Sequence, residues 1–224
     1  GRITEETIPP CQKRIRAKKQ MRYIQGVQGS KEWLAGRCGK PTASNYSKIL
    51  TNTLKKSTSR ETYINKLIAE SITGEPEMLF KTDAMKRGNE LEPVAKAYYE
   101  LNHGYDVVET GLLLHDEIEA GASPDGVIFE GKDIIGGLEI KCPLGSTHIE
   151  NLRKQKVPSQ YMPQIQGCLW VTGAQWWDFM SFHPDIEPMV IRVYPDNAYI
   201  EALEKELVQV CETIKIETEK WRRK

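Results

Sequence analysis

Apolar positions recur along this chain at two periods, and the changes of period mark its elements. Tyr63, Ile64, Leu67 and Ile68 lie at helical spacing, with Gly74 and then Pro76 as a stop, so a helix is predicted over 60–73. Leu91, Val94, Ala95, Tyr98 and Leu101 form a second helical face ended by His103-Gly104, which requires Pro93 to sit in the first turn or at a kink. Tyr161, Ile165 and Leu169 mark a helix near 160–172, and a long closing helix is predicted over 197–222. Strand patterns occupy 105–114, 125–130, 134–142, 176–182 and 189–194. Ser30 is a plausible N-cap for a short helix at Lys31-Glu32-Trp33-Leu34, and the first 24 residues read as an arm or first helix, joined by a connector over 25–30. Helices first, then a sheet, then helix and sheet predict an α/β domain with a central mixed β-sheet flanked by helices.

A length of 224 residues supports one substantial core, and 25–224 reads as a single domain. There is no apolar run long enough for a transmembrane helix or a signal peptide, and the start at Gly1 reads as processing or as a remnant of expression. Five scattered cysteines without a CxxC pair point to reduced thiols in a cytoplasmic setting and away from zinc or iron–sulfur sites. Formal net charge is zero, which excludes a general nucleic-acid coat and leaves room for a local groove. Lys13, Arg14, Arg16, Lys18, Lys19 and Arg22 make the first segment basic, while Lys55, Lys56 and Arg60 form a smaller patch. Either set could track phosphates or simply be a solvated face.

The segment from Gly121 to Pro143 holds the densest candidate chemistry. Gly131-Lys132-Asp133 reads as a three-residue hairpin loop between two apolar runs. With Glu130 facing Ile134 across it, Asp125 comes opposite Glu139, with Lys141 on the same face and Ile140 turned to a core. Paired carboxylates at cross-strand separation can share one divalent ion. A bulge at Gly136-Gly137 would move this register by one. The bland alternative is an Asp-Gly turn beside a solvated Glu-x-Lys edge, but Leu138, Ile140, Cys142 and Pro143 surround the charges with apolar neighbours, where charges need partners.

Ser123-Pro124-Asp125-Gly126 with Leu138-Glu139-Ile140-Lys141-Cys142-Pro143 resembles the PD-(D/E)xK nuclease core of the phage lambda exonuclease and YqaJ-type viral recombinase family. Trp33-x-x-x-Arg37 with Thr42-Ala43-Ser44, Arg87-Gly88-x-x-x-Glu92, Tyr161 to Gln166 and Leu169 to Thr172 resemble further segments of that family in the same order, over about 30–185. The resemblance implies a restriction-endonuclease-like core and Mg²⁺-dependent 5′→3′ degradation of linear double-stranded DNA to leave 3′ tails, with Mn²⁺ as a substitute and one or two ions. By the same resemblance Asp125, Glu139, the Ile140 carbonyl and Glu92 hold metal, Lys141 positions or activates the attacking water, and Gln164 lines the active site. Arg37 and Ser44 receive the DNA 5′-phosphate, a single-strand annealing protein is the partner, and a homotrimer ring encloses the duplex.

Two other readings stay open at this level. The same core serves site-specific or structure-specific endonucleases, and a non-catalytic DNA-binding relative would keep the fold alone. Glu92 also suits a helix N-terminus, and Arg37 a surface ion pair. Trp33, Trp170, Trp176 and Trp177 read as core residues, and His103, His115, His148 and His183 show no ligand spacing.

Overall fold

The computed structural model describes residues 21–24, 26, 28–77 and 83–223, the side chain of Ala84 excepted. The order is β1 (Arg22–Ile24), α1 (Lys31–Arg37), a 3₁₀ helix at Ala43–Lys48, α2 (Arg60–Thr73), α3 (Asp83–His103), β2 (Leu112–Leu114) and β3 (Gly121–Ala122). There follow β4 (Gly126–Glu130), β5 (Asp133–Lys141), α4 (Gly145–Lys154), α5 (Met162–Thr172), β6 (Trp176–His183), β7 (Ile186–Val193) and α6 (Asn197–Trp221). The larger sheet runs β4-β5-β6-β7 and is mixed, because β5 and β6 are parallel while the other neighbours are antiparallel. The smaller sheet, β1-β2-β3, is antiparallel throughout.

Alternation along β5 and β6 sends side chains to two cores. On one face Trp177 and Phe179 join residues of α2, α5 and α6, including Leu67, Leu169, Leu203 and Leu207. On the other, Leu138, Ile140 and Met180 meet Ala95 and Tyr99 of α3. Each fully buried aliphatic or aromatic side chain contributes about 1.5–3 kcal/mol, so the sheet is held from both sides. Asp178, nearly inaccessible on β6, ties α3 to the sheet: it accepts from Tyr99 Oη at 2.7 Å and from Arg192 Nε and Nη2 at 2.9 and 2.8 Å.

The hairpin differs from expectation at its tip and agrees with it at its base. Glu130 faces Asp133 rather than Ile134, so the turn is the two residues Gly131-Lys132. Phe129 faces Ile134 but Ile128 faces Gly136, leaving Ile135 as the extra residue of a bulge. That bulge restores the alignment in which Gly126 faces Leu138, the register expected near the site. Gly136 and Gly137 are required by close approach: a Cβ on either would stand 2.4 Å from the Trp176 ring or 2.3 Å from that of Trp177.

Two further expectations need correction, one is narrowed, and one helix is new. The predicted strand over 105–114 is reduced to Leu112–Leu114 plus an isolated bridge between Val108 and Val127. Gly111 interrupts it at φ +70°, with the Gly26 carbonyl 2.6 Å from any added Cβ. Of the two places allowed for Pro93, the first turn is excluded: it lies well inside α3, on its exposed side. Helix α4 had no predicted counterpart. Arg22–Ile24, assigned to an arm over 1–24, is a strand paired with β2, while Lys13, Arg14, Arg16, Lys18 and Lys19 lie outside the described residues.

Candidate active site

Strand β5 delivers Glu139 and Lys141 to the α5 side of the sheet and Ile140 to the opposite core, as alternation requires. Glu139 has no solvent exposure. Its Oε1 accepts from Gln164 Nε2 at 2.6 Å, donated by the first turns of α5, and from Lys141 Nζ. Its Oε2 is buried and accepts no hydrogen bond. Asp125 lies just before β4, and its Oδ2 accepts from the Ile140 backbone N–H at 2.7 Å. Asp125 is therefore fixed to the same strand that carries Glu139, through the backbone rather than as a formal ladder pair.

Glu92 approaches from α3. Its carboxyl rises from 4.5 to about 7, through burial first and the charge of Asp125 second, with Lys141 opposing. Burial likewise raises Glu139 to about 8, with Asp125 adding to the rise and Lys141 resisting it. Asp125 is raised by burial against the pull of Lys141 and the Ile140 N–H. Burial alone would lower Lys141, but Glu139 and Asp125 outweigh it and hold the ammonium above its ordinary value. Three acids thus share a site that disfavours their charges, and one lysine offsets only part of this.

Such a donor set suits a hard divalent cation, which takes oxygen ligands. Among the described residues no three His, Cys, Asp or Glu side chains cluster closely enough to form a ligand set alone. A cation here would draw on a backbone oxygen as well, for which the Ile140 carbonyl is available, and on the buried Oε2 of Glu139.

A cleft of about 830 Å³ opens over the centre, lined by Glu92 and Lys141 on one side and by Trp33 and Arg37 of α1 on the other. Ser30 caps α1 by accepting from Trp33 N at 3.2 Å. The Trp33 indole donates to Ser123 Oγ at 2.8 Å, fastening α1 to the Ser123-Pro124-Asp125 loop. Arg37 lies over the Trp33 ring at 4.3 Å and donates to Thr42 Oγ1 at 2.9 Å. Ser44 is exposed on the 3₁₀ helix and is not among the residues lining this cleft, so the structure does not join it directly to Arg37. A second cleft, of about 610 Å³, lies beyond Glu92 and is lined by Asp125 and Glu109.

Sequence reading missed Thr42 as the partner of Arg37, Ser123 as the anchor of Trp33, and Arg87. Arg87 Nη1 donates to the carbonyls of Cys142 at 2.9 Å and Pro143 at 2.8 Å, joining α3 to the end of β5. All three lie within motifs already singled out, beside the residues given roles. Trp33, Trp170, Trp176 and Trp177 are buried, as expected.

A mixed sheet covered by helices, with buried acids and a lysine at the end of its central strand β5, defines a nuclease with a restriction-endonuclease-like core. The family model for the YqaJ-like viral recombinase domain matches residues 32–175, and the chain belongs to that family. Among solved structures it is similar to an alkaline exonuclease (LHK-Exo) from Laribacter hongkongensis, at 36% identity and a TM-score of 0.75, over 85% of this chain and 95% of that one. The structure of LHK-Exo in complex with dAMP matches with the same identity, TM-score and coverage, 36%, 0.75, and 85% and 95%. A phage-related exonuclease from Haemophilus somnus 129PT shares the fold at 16% identity and a TM-score of 0.60, over 78% of this chain and 93% of that one. No curated protein sequence matches the chain.

Proposed function

We propose that this deoxyribonuclease is a Mg²⁺-dependent exonuclease that degrades linear double-stranded DNA from the 5′ end, leaving 3′ single-stranded tails for recombination by strand annealing. The observation that carries the reading is Glu139: fully buried, one oxygen held by Lys141 and Gln164, the other without a hydrogen bond, and two further acids acting on it. A divalent cation relieves that arrangement. Asp125, Glu139, the Ile140 carbonyl and Glu92 would hold one or two ions, and Mn²⁺ suits the same oxygens. When bound, the ion supplies an activated water and a charge clamp on the scissile phosphate.

The chain's own residues do the rest. Lys141, kept as an ammonium, stabilises negative charge that develops on the phosphate oxygens and attacking water. Gln164 fixes the Glu139 carboxylate through Oε1 and leaves Oε2 for a ligand. Arg37, on the opposite wall of the cleft, receives the 5′-phosphate, for which a planar fork braced by an indole and a hydroxyl is suited. Ser44, exposed on the 3₁₀ helix two residues after Thr42, would add a hydroxyl to the same phosphate.

Similarity to an alkaline exonuclease supports an end-dependent reaction over an endonucleolytic one. The family reading adds a single-strand annealing protein as partner and a homotrimeric ring as the working assembly, while length and cysteine usage support a single nuclease domain over 25–224 and a cytoplasmic setting. No helix among the described residues is long and apolar enough to cross a membrane. Digestion of linear and closed circular duplexes in Mg²⁺ tests the proposal. The wild type should degrade only the linear form, and Lys141→Ala should lose nearly all activity while melting normally. Equal cutting of the circle would defeat the exonuclease reading, and an active Lys141→Ala would remove the lysine from the chemistry.

A further inference from the structure

Three clefts meet at the carboxylate–lysine centre, and Arg37 accounts for one of them. The third, of about 370 Å³, runs between the end of β5 and the segment after α4. It shares Lys141, Pro143 and Tyr161 with the Arg37 cleft, so the two adjoin at the reacting centre. Tyr161 stands at the junction, its ring 5.5 Å from that of Phe179 and 5.4 Å from Lys141 Nζ.

A strand whose terminal 5′-phosphate rests on Arg37 carries its following nucleotides into one of the two remaining clefts. A phosphodiester chain carries one negative charge per nucleotide, so charge separates the routes. Among the described residues the cleft beyond Glu92 is lined by Glu92, Glu109 and Asp125 and by no lysine or arginine; Lys96, outside the lining, pairs with Glu109 at 3.1 Å, and the net charge of the lining stays negative. The third groove presents Lys154 and Lys156 beside Lys141; its one carboxylate among the described residues, Glu150, pairs with Lys154 and offsets one of these charges, so the lining keeps a net positive charge. Both outer lysines are exposed, at the C-terminal end of α4 and just past it. Thr147, Ser159 and Gln160 add uncharged hydrogen-bonding groups along the wall, of the kind that meet phosphate oxygens.

We propose that the scissile strand leaves the centre on the 3′ side of the cut through this basic groove, with its phosphates met by Lys154 and Lys156. The inference rests on the nuclease reading above and adds a binding subsite to it. The ligand is a phosphodiester backbone, read by charge and not by base.

The test uses a Lys154→Glu/Lys156→Glu double variant with two substrates, a 5′-phosphorylated linear duplex and bis(p-nitrophenyl) phosphate, a diester with no nucleotides beyond the scissile bond. Both positions are exposed, so thermal melting should match the wild type. The KM for duplex should rise about tenfold or more, and the slope of log KM against log salt should fall by about 1.4–1.8, since each lost phosphate contact removes about 0.7–0.9. Hydrolysis of the small diester should stay at the wild-type rate. An unchanged KM and salt slope would overturn the groove, and so would an equal loss on both substrates, which would place the lysines in the chemistry itself. A wild type that cuts neither substrate would instead defeat the nuclease reading on which the groove depends.

Discussion

Replacing Glu139 by glutamine should stabilise the metal-free protein while abolishing its activity. Glu139 has no solvent exposure, and burial with Asp125 raises its carboxyl from 4.5 to about 8 despite the pairing with Lys141. In the folded state the group keeps its proton between those values, whereas in the unfolded chain it has already lost it. The folded form therefore binds about one proton more across that window, and stability falls as pH rises, by about 1.4 kcal/mol per pH unit. From pH 5.5 to 7.5 the loss is about 2–3 kcal/mol, or about 5–10 °C in Tm for a chain of this size. Thermal melts in EDTA should show this contribution in the wild type on top of the slope that Glu92, raised to about 7, supplies in both proteins, so stability should fall less steeply with pH in Glu139→Gln, with the two curves converging toward pH 5. Mg²⁺ should raise the wild-type Tm more at pH 8 than at pH 6, since it competes with the retained proton, and should barely move the variant. Parallel wild-type and variant profiles in EDTA would refute the argument, because they would mean that the buried carboxyl titrates alike in both states.

Other perturbations separate packing from chemistry. Gly137→Ala places a Cβ 2.3 Å from the Trp177 ring and should cost about 1–3 kcal/mol in a urea titration, with kcat falling only as far as the β5 backbone shifts. Asp178→Asn leaves Arg192 without its carboxylate, and with Arg192 still partly solvated the loss should be about 2–3 kcal/mol. Arg37→Ala should erase the preference for 5′-phosphorylated over 5′-hydroxyl ends through KM, leaving hydrolysis of bis(p-nitrophenyl) phosphate intact; a preserved preference would take Arg37 out of end recognition.

Much of this architecture is legible in the chain because apolar period and punctuation agree. Helix α2 ends where Gly74 adopts φ 73°, and α6 and the β6–β7 pair fall where their patterns place them. Helix α4 escaped because its buried residues are polar. His148 and Asn151 both reach Ser181 Oγ, at 2.8 and 3.1 Å, and His148 also contacts the Glu187 carbonyl at 2.9 Å. A hydrogen-bonded core of that kind leaves no hydrophobic trace. Strand β1 escaped because its three residues follow a basic run and pair with a segment far along the chain. In the site, Asp125, Glu139, Lys141, Glu92 and Gln164 converge as the motifs suggest. Arg37 faces them across the cleft, and the side chains that brace it, Trp33 and Thr42, depend on tertiary packing that spacing does not reveal.

The bulge at Ile135 separates the two ends of the hairpin mechanically. Between it and the chemistry, Gly136 to Lys141 are locked to Trp176 through Ser181 by the parallel ladder, so their position is set by β6 and not by the turn. On the other side, Glu130 to Asp133 are exposed and carry only the tip of the hairpin. A one-residue slip would normally exchange the two faces of a strand, but here a change in turn length meets the bulge first. Gly131-Lys132 is consequently an attachment point for a dye, a tether or an inserted peptide, through which the nuclease could be tethered or watched without retuning its centre.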